Sequence, residues 1–330
     1  MIRRSAGAWQ FSDGRCTKRT EGDPLVEFLA TPRDAAGARA EVDSVDSFGA
    51  SRVPLAGGLR AFLVADDEDP APHEARDELA ALVREHVELG QGVLVLTGFP
   101  LDDERNKEAL VRFTSLLGEP LPQDGEGNLV REVRDRGTAI GEGARARYSD
   151  SRFGGSLHTD GAEAPLPAPE FFTLLCVRQS ARGGALEFVH IRDLEAALAS
   201  RAGVTAALRE PFHFDRRGDQ APGEPPTTRK PVLFTQNGKS AISYLRGYIE
   251  RGHEHPGIPP LTDRQRAALD ELDRIVASGG LAKTGKLREG ELALFDNLSL
   301  LHGRTEFQDE PDHTRLLLRT WVRGRSAVRR

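Results

Sequence analysis

Apolar residues recur along this chain with two different spacings, and the switch between them predicts where it coils and where it extends. From Glu74 to Leu89, the residues Ala75, Leu79, Leu82, Val83 and Val87 fall at helical spacing, predicting an amphipathic helix that stops at Gly90. Val93-Leu94-Val95-Leu96 is a continuous apolar run ending at Gly98, as expected of a buried strand. Lys107 to Leu117 predicts a second helix, closed by Gly118 and Pro120. Phe171 to Arg178 reads as a strand, Gly183-Gly184 turns the chain, and Ala185 to His190 reads as the next strand. Asp193 to Leu208 is expected to be helical, with strands near 231–235 and 240–245. Thr262 to Ala277 predicts a helix with Thr262 as its N-cap. Leu292 to Phe295, the short run carrying His302, and Arg315 to Val322 complete the set of extended segments.

The stretches between are polar. Residues 1–50 show weak periodicity and read as an arm with one short helix, while 122–155 read as a loop holding one short strand. Residues 215–230 combine Pro, Gly and charge, the composition of a surface excursion. Short strands separated by turn residues, with helices in a few blocks, favour a mostly β fold with flanking helices. A β-sandwich or jelly roll with helices packed outside fits this pattern, whereas a doubly wound sheet would need regular alternation. The expected organisation is a peripheral N-terminal arm over residues 1–70 and a single domain over 71–330, with lid insertions near 122–156 and 215–230.

Composition narrows the function classes. The chain has 330 residues, 38% hydrophobic and 29% charged, enough for one large core. Its net charge of −6 and the scattering of its basic residues argue against a nucleic-acid partner. Cys16 and Cys176 are too few for a disulfide framework or a Cys-rich zinc site. Arg3-Arg4 near the N-terminus is not followed by an apolar stretch, and no run approaches the length of a membrane span. The expectation is therefore a soluble, cytoplasmic protein with no membrane partner.

Candidate chemistry lies at His158-Thr159-Asp160. On an extended segment, residues i and i+2 point to one face, so His158 and Asp160 project together, about 6–7 Å apart. His302, at the end of an apolar run and before a glycine, supplies a third donor. Two imidazoles and one carboxylate are the donor set of a non-haem Fe(II) site. Arg315 and Arg319 share one face of a strand with Leu317 and Trp321. Two arginines facing inward demand anions, and a guanidinium–carboxylate contact is the natural answer.

These residues resemble the Fe(II)/2-oxoglutarate-dependent dioxygenases of the TauD/TfdA superfamily, and within it the clavaminate synthase-like branch, which includes amino-acid hydroxylases of antibiotic pathways. The resemblance rests on GGSLHTDG (154–161), PEFFTLLCVRQSARGG (169–184), GELALFDNLSLLHGRTEF (290–307) and RLLLRTWV (315–322). It implies a double-stranded β-helix, a cupin-type jelly roll, with His158, Asp160 and His302 as Fe(II) ligands. It implies Arg315 as the partner of the distal carboxylate of 2-oxoglutarate, and Arg319 as a contact to the co-substrate or to an anionic group of the substrate. The family usually carries a threonine just after the Gly-Gly turn. Here Ala185-Leu186 stands there, so that hydroxyl is missing. With O2 as oxidant, the implied reaction releases succinate and CO2 and hydroxylates a C–H bond. Asp160 argues against halogenation, because related halogenases have Ala or Gly at that position.

The expected substrate is a small molecule, an amino acid or amino-acid derivative, free or tethered to a carrier protein. Tyr148, Tyr244 and Arg246 are the candidate substrate contacts. Desaturation, epoxidation and cyclisation remain open on the same core. Two competing classes are a cupin-like binding protein without turnover, towards which only Leu186 leans, and a zinc hydrolase, for which no Glu or His beside His158-Thr159-Asp160 stands out as general base.

Overall fold

The computed structural model describes residues 9–12, 15–18, 46–65, 72–137 and 148–324. The chain divides into two compact units, residues 1–43 and 44–330. In the first, β1 (Trp9–Ser12) and β2 (Arg15–Lys18) pair as an antiparallel hairpin; most of the stretch in which one short helix is expected lies outside the described residues.

The second unit begins with β3 (Arg52–Pro54), α1 (Gly57–Val64) and α2 (Pro72–Leu82), which continues as a π-helical stretch to Gln91. Next come β4 (Val93–Thr97), α3 (Asn106–Leu117), β5 (Gly118–Leu121) and β6 (Arg131–Val133). β7 (Phe171–Arg178), β8 (Arg182–Gly183) and β9 (Leu186–His190) lead into α4 (Ile191–Leu198) and α5 (Ala202–Leu208). β10 (Pro211–Asp215), β11 (Thr227–Pro231), β12 (Leu233–Gln236) and β13 (Lys239–Ile242) precede α6 (Arg246–Gly252) and α7 (Asp263–Ala277). β14 (Lys283–Gly285), β15 (Leu292–Asp296), β16 (Leu300–Arg304), β17 (Phe307–Gln308) and β18 (Leu316–Gly324) complete it.

The major sheet runs β3-β4-β15-β7-β18-β5, with β6 also pairing on β18; β3 and β4 are parallel and the other pairs antiparallel. Its central strands β4, β15 and β7 are buried on both faces, which is why they read as continuous apolar runs. Leu94, Leu96, Leu175, Leu292, Leu294, Leu318 and Val322 point to α1, α2 and α3. Val93, Val95, Phe172, Leu174, Ala293, Phe295, Leu317 and Trp321 point the other way, against Leu186, Phe188 and Leu300 of the smaller sheet β14-β9-β16. Two facing sheets with helices outside make the mostly β jelly roll that the strand pattern predicts. Even the helix-covered face holds a satisfied polar pair, Thr173 Oγ1 and Thr320 Oγ1 at 2.6 Å.

Several boundaries differ from the sequence expectation. Residues 46–65 belong to the core unit: β3 joins the major sheet, and Phe48 is fully buried against Phe188, Phe295 and Gly285. The peripheral arm therefore stops short of residue 70. The helix expected over 193–208 is two helices, broken where Arg201 leaves helical geometry (φ −120°, ψ 53°). The excursion at 215–230 is partly strand, since β11 pairs with β10 and buries Thr228 and Lys230. The strand expected over 240–245 ends at Ile242, and α6 follows; its two glycines hide it from periodicity. Gly252 is required there because a Cβ would collide with the His213 carbonyl. Thr262 caps α7 as expected, in a reciprocal capping box with Gln265. Among the described residues no helix is long and apolar enough to cross a membrane.

Two outcomes test this architecture. Phe48→Ala is expected to cost about 3–5 kcal/mol in denaturant unfolding, as an aromatic core truncation does, and a peripheral arm would show almost none. His190 caps α4 by accepting the Arg192 N–H at Nδ1 (3.0 Å), and burial, with Arg192 nearby, lowers its pKa from 6.5 to about 4. Its neutral form is favoured by folding, so this contribution is complete above pH 6.5 and is lost as pH falls towards 4. His190→Asn keeps a capping oxygen without a titrating ring and should flatten the melting temperature across that window.

Candidate active site

Three short backbone connections assemble the site. His158 and His302 exchange both main-chain hydrogen bonds at 2.8 Å, an isolated antiparallel bridge on the free edge of β16. Facing residues of such a pair present their side chains together, and the two imidazole centroids are 4.6 Å apart. Thr159 is stitched to Tyr244, donating its N–H to the Tyr244 carbonyl (2.9 Å) and accepting the Tyr244 N–H at Oγ1 (3.0 Å). Asn297 clamps the next residue: its Oδ1 accepts the Asp160 N–H (2.9 Å), and its Nδ2 donates to the Asp160 and Pro169 carbonyls.

The three side chains converge. One ligand atom from each of His158, Asp160 and His302 lies within 4.8 Å of the others, the arrangement of a metal site. His158 Nδ1 faces the Ser156 carbonyl at 2.9 Å, so the proton sits on Nδ1 and Nε2 keeps its lone pair. Tyr148 stacks on the same ring, 5.5 Å between centroids. Burial pushes the His302 imidazole down to about 3, aided by His158 and opposed by Asp160, so it is neutral near pH 7. Burial likewise lowers His158. Asp160 receives Arg319 on Oδ1 (2.8 Å) and the Trp321 indole N–H on Oδ2 (2.9 Å). Burial opposes its charge, but Arg319, both imidazoles and Trp321 outweigh burial and hold the carboxyl below its ordinary range.

These groups line a pocket of about 850 Å³, counting its mouth, that opens between the two sheets. Leu174, Leu186, Leu317 and Phe172 form an apolar wall, into which Arg315 projects. Arg315 is 1% exposed; its Nε donates to Gln179 (3.3 Å), its guanidinium lies over Phe307, and its NH1 has no partner. Burial, with Arg304 nearby, lowers it to about 9. A buried cation with an orphan N–H facing a cavity is costly unless an anion enters. Gly184 (φ 74°) keeps that approach open, since a Cβ there would crowd Arg315 Nε and Ser180. Leu186, at the position that follows the Gly-Gly turn, contributes only hydrocarbon.

The structure brings together His158, Asp160, His302, Arg315, Arg319 and Tyr148. It does not bring in Tyr244 or Arg246. Tyr244 is in a different core and donates to Asp273 (2.6 Å), and Arg246 is held by Glu250, Asp270 and Asp273; burial lowers its pKa, but Glu250 and Asp270 outweigh burial and raise it. Both are tied to Asp273 on α7, and neither lines the pocket. Tyr248 and Leu245 line it instead. Arg319, expected to meet co-substrate or substrate, is engaged by Asp160 and by Gln123 Oε1 (2.7 Å).

Sequence reasoning passed over five further residues. Asn297 had a usable signal, a buried amide in an apolar run close before His302. Gln123 and Gln179 had none, since both act across long sequence separations. Arg304 donates to carbonyls of Tyr148, Ser151, Arg152 and Phe153, binding the loop above the site to the strand that carries His302. Glu163, just past Asp160, also lines the pocket, so a carboxylate does stand near the metal-binding residues.

Known proteins resemble this chain in sequence and fold. The chain is 27% identical over 265 residues, 78% of its length and 76% of the relative's, to FR-33289 synthase of Streptomyces rubellomurinus (strain ATCC 31215). It shares its fold with asparagine oxygenase in complex with Fe(II), 2S,3S-3-hydroxyasparagine and succinate, at 23% identity and a TM-score of 0.61. That match covers 82% of this chain and 93% of the other. The non-heme iron oxygenase OrfP in complex with Fe, succinate and (3S)-hydroxy-L-Arg also matches, at 17% identity, a TM-score of 0.58, and 82% and 94% coverage. The family model described as taurine catabolism dioxygenase TauD, TfdA family matches residues 54–321, from β3 to the Trp321 that hydrogen-bonds Asp160, and the chain belongs to that family of dioxygenases.

Proposed function

We propose that this protein is an Fe(II)- and 2-oxoglutarate-dependent oxygenase that hydroxylates a C–H bond of an amino acid or amino-acid-derived small molecule, free or carrier-tethered. The observation that carries the reading is Arg315, a buried cation with an orphan N–H in the same pocket as a His-Asp-His triad. Two neutral imidazoles and one carboxylate suit Fe(II) and leave coordination positions for a chelating co-substrate and O2. When bound, iron and 2-oxoglutarate together supply the oxidant, O2 activation being coupled to release of succinate and CO2. Relatives whose solved complexes contain iron, succinate and a hydroxylated amino acid support the same chemistry.

The chain's own residues have separable tasks in this reading. His158 Nε2, His302 and Asp160 hold the metal, with Ser156 fixing the His158 tautomer. Arg319 and Trp321 orient Asp160, and Asn297 sets its backbone. Arg315 binds the distal carboxylate of 2-oxoglutarate, and Gln179 and Phe307 position the guanidinium. Leu174, Leu186 and Leu317 exclude water around it, so Arg315 works without a neighbouring hydroxyl. A zinc hydrolase finds a general base in Glu163 but leaves the buried charge of Arg315 unanswered.

Anaerobic addition of Fe(II) and 2-oxoglutarate is expected to produce a visible charge-transfer band that His158→Ala abolishes. Arg315→Met should raise the dissociation constant for 2-oxoglutarate on the order of 100-fold, the loss expected for one partner of a buried charge pair. An iron-loaded wild-type chain with neither band nor 2-oxoglutarate affinity would overturn the reading. Trp321→Phe removes one hydrogen bond from Asp160 and should weaken iron binding about 10- to 100-fold, measured by competitive chelation.

A further inference from the structure

We infer that Glu163 is the specificity-determining residue for the primary substrate and that it selects a compound bearing a protonated amine or guanidinium. The inference rests on the proposed oxygenase function and adds the charge of the molecule to be oxidised.

The charged side chains that line the pocket are Asp160, Glu163, Arg304, Arg315 and Arg319. Three are internally satisfied: Asp160 and Arg319 bond each other, and Arg304 donates to backbone carbonyls. Two groups of opposite sign remain. Arg315 has an orphan N–H, and Glu163 has neither a hydrogen bond nor an ion pair among the described residues. An anion that neutralises Arg315 leaves Glu163 as the one pocket-lining carboxylate with no hydrogen bond or ion pair among the described residues. A second carboxylate there would be repelled, and a neutral group would leave it desolvated and unpaired.

Position supports the same reading. Arg315, Leu174, Leu186 and Leu317 are carried by or next to strands and line the part of the pocket between the sheets. Glu163, Tyr148, Leu245 and Tyr248 line the pocket from connecting segments and the start of α6. The turn that carries Glu163 is rigid. It follows the Asn297 clamp on Asp160, closes through the Ala164 N–H to Gly161 carbonyl bond (2.9 Å), and is held from below by Lys230 Nζ on the Ala164 carbonyl (2.6 Å). Lys230 is buried, which lowers it to about 7, an effect the Glu163 carboxylate opposes from beyond ion-pair distance. A carboxylate on a fixed turn, lining the same pocket as the metal-binding residues, suits a substrate cation.

The test uses the full chain loaded with Fe(II) and 2-oxoglutarate. A panel of free L-amino acids, diamines and their N-acetyl counterparts is scored for substrate-dependent succinate release. Free amines should exceed their acetylated forms by about 100-fold in kcat/KM. Glu163→Gln, of the same size, should collapse that discrimination to within a few-fold, chiefly through KM, whereas Glu163→Asp should retain most of it. A merely structural role would depress acetylated and free compounds alike and leave the ratio unchanged. Preference for N-acetylated or dicarboxylic compounds, no response to any amine, or unchanged discrimination in Glu163→Gln overturns the assignment. Failure of the oxygenase reading is seen separately, before any amine is added, as absence of the Fe(II)–2-oxoglutarate band in the wild-type chain.

Discussion

The backbone bridge between His158 and His302 is the contact on which the site depends. It is a single antiparallel pair, with two hydrogen bonds of 2.8 Å, at the edge of the smaller sheet. Because facing side chains in such a pair must project together, two residues distant in sequence become one binding surface. Thr159 and Asp160 are tied in the adjoining positions to Tyr244 and Asn297, so the segment cannot slip without breaking several bonds at once. A one-residue slip would turn His158 and Asp160 away from the pocket, which explains why so short a segment is braced on each side.

Placing this bridge in a dry interior forces the polar architecture around it. The inner face of β18 carries Arg319 among Leu317 and Trp321, with Arg315 just before the strand. Each guanidinium is managed differently. Arg319 is bound by Asp160 and Gln123 and lies over the Trp321 ring, 4.9 Å away. Arg304 and Arg315 both lie over Phe307, at 4.6 and 4.9 Å, but only Arg304 has its N–H groups absorbed by carbonyls. Arg315 keeps an open donor, and leaving it open in a core costs stability unless a ligand supplies the acceptor. That cost is the physical argument for an anionic co-substrate, and it holds independently of any likeness to other proteins.

The same balance of charges gives the pocket two ends. Arg315 lines it with apolar strand residues, whereas Glu163 lines it from a clamped turn. In the proposed reading, Arg315 receives the anionic co-substrate and Glu163 a cationic group of the substrate. Arg304 links this organisation to the covering loop, since it binds the segment that includes Tyr148 to the strand that carries His302.

Much of this was legible in the chain before folding. Alternation and apolar runs located β4, β7, β9, β15 and β18, because strands covered on both faces must be apolar throughout. The i and i+2 spacing of His158 and Asp160 and the shared face of Arg315, Leu317, Arg319 and Trp321 follow from strand geometry alone. Local pattern did not reveal α6, the break at Arg201, or the place of Phe48 in the core, because each is settled by packing against distant residues. It also misdirected Tyr244 and Arg246, whose side chains look suited to a substrate but are turned towards Asp273 on α7. The sequence by itself determined which donors exist and which strand faces they share. Only the tertiary structure decided which charges are paired, for that depends on Gln123, Gln179, Asn297 and Lys230 reaching across the fold to satisfy some groups and leave Arg315 and Glu163 open.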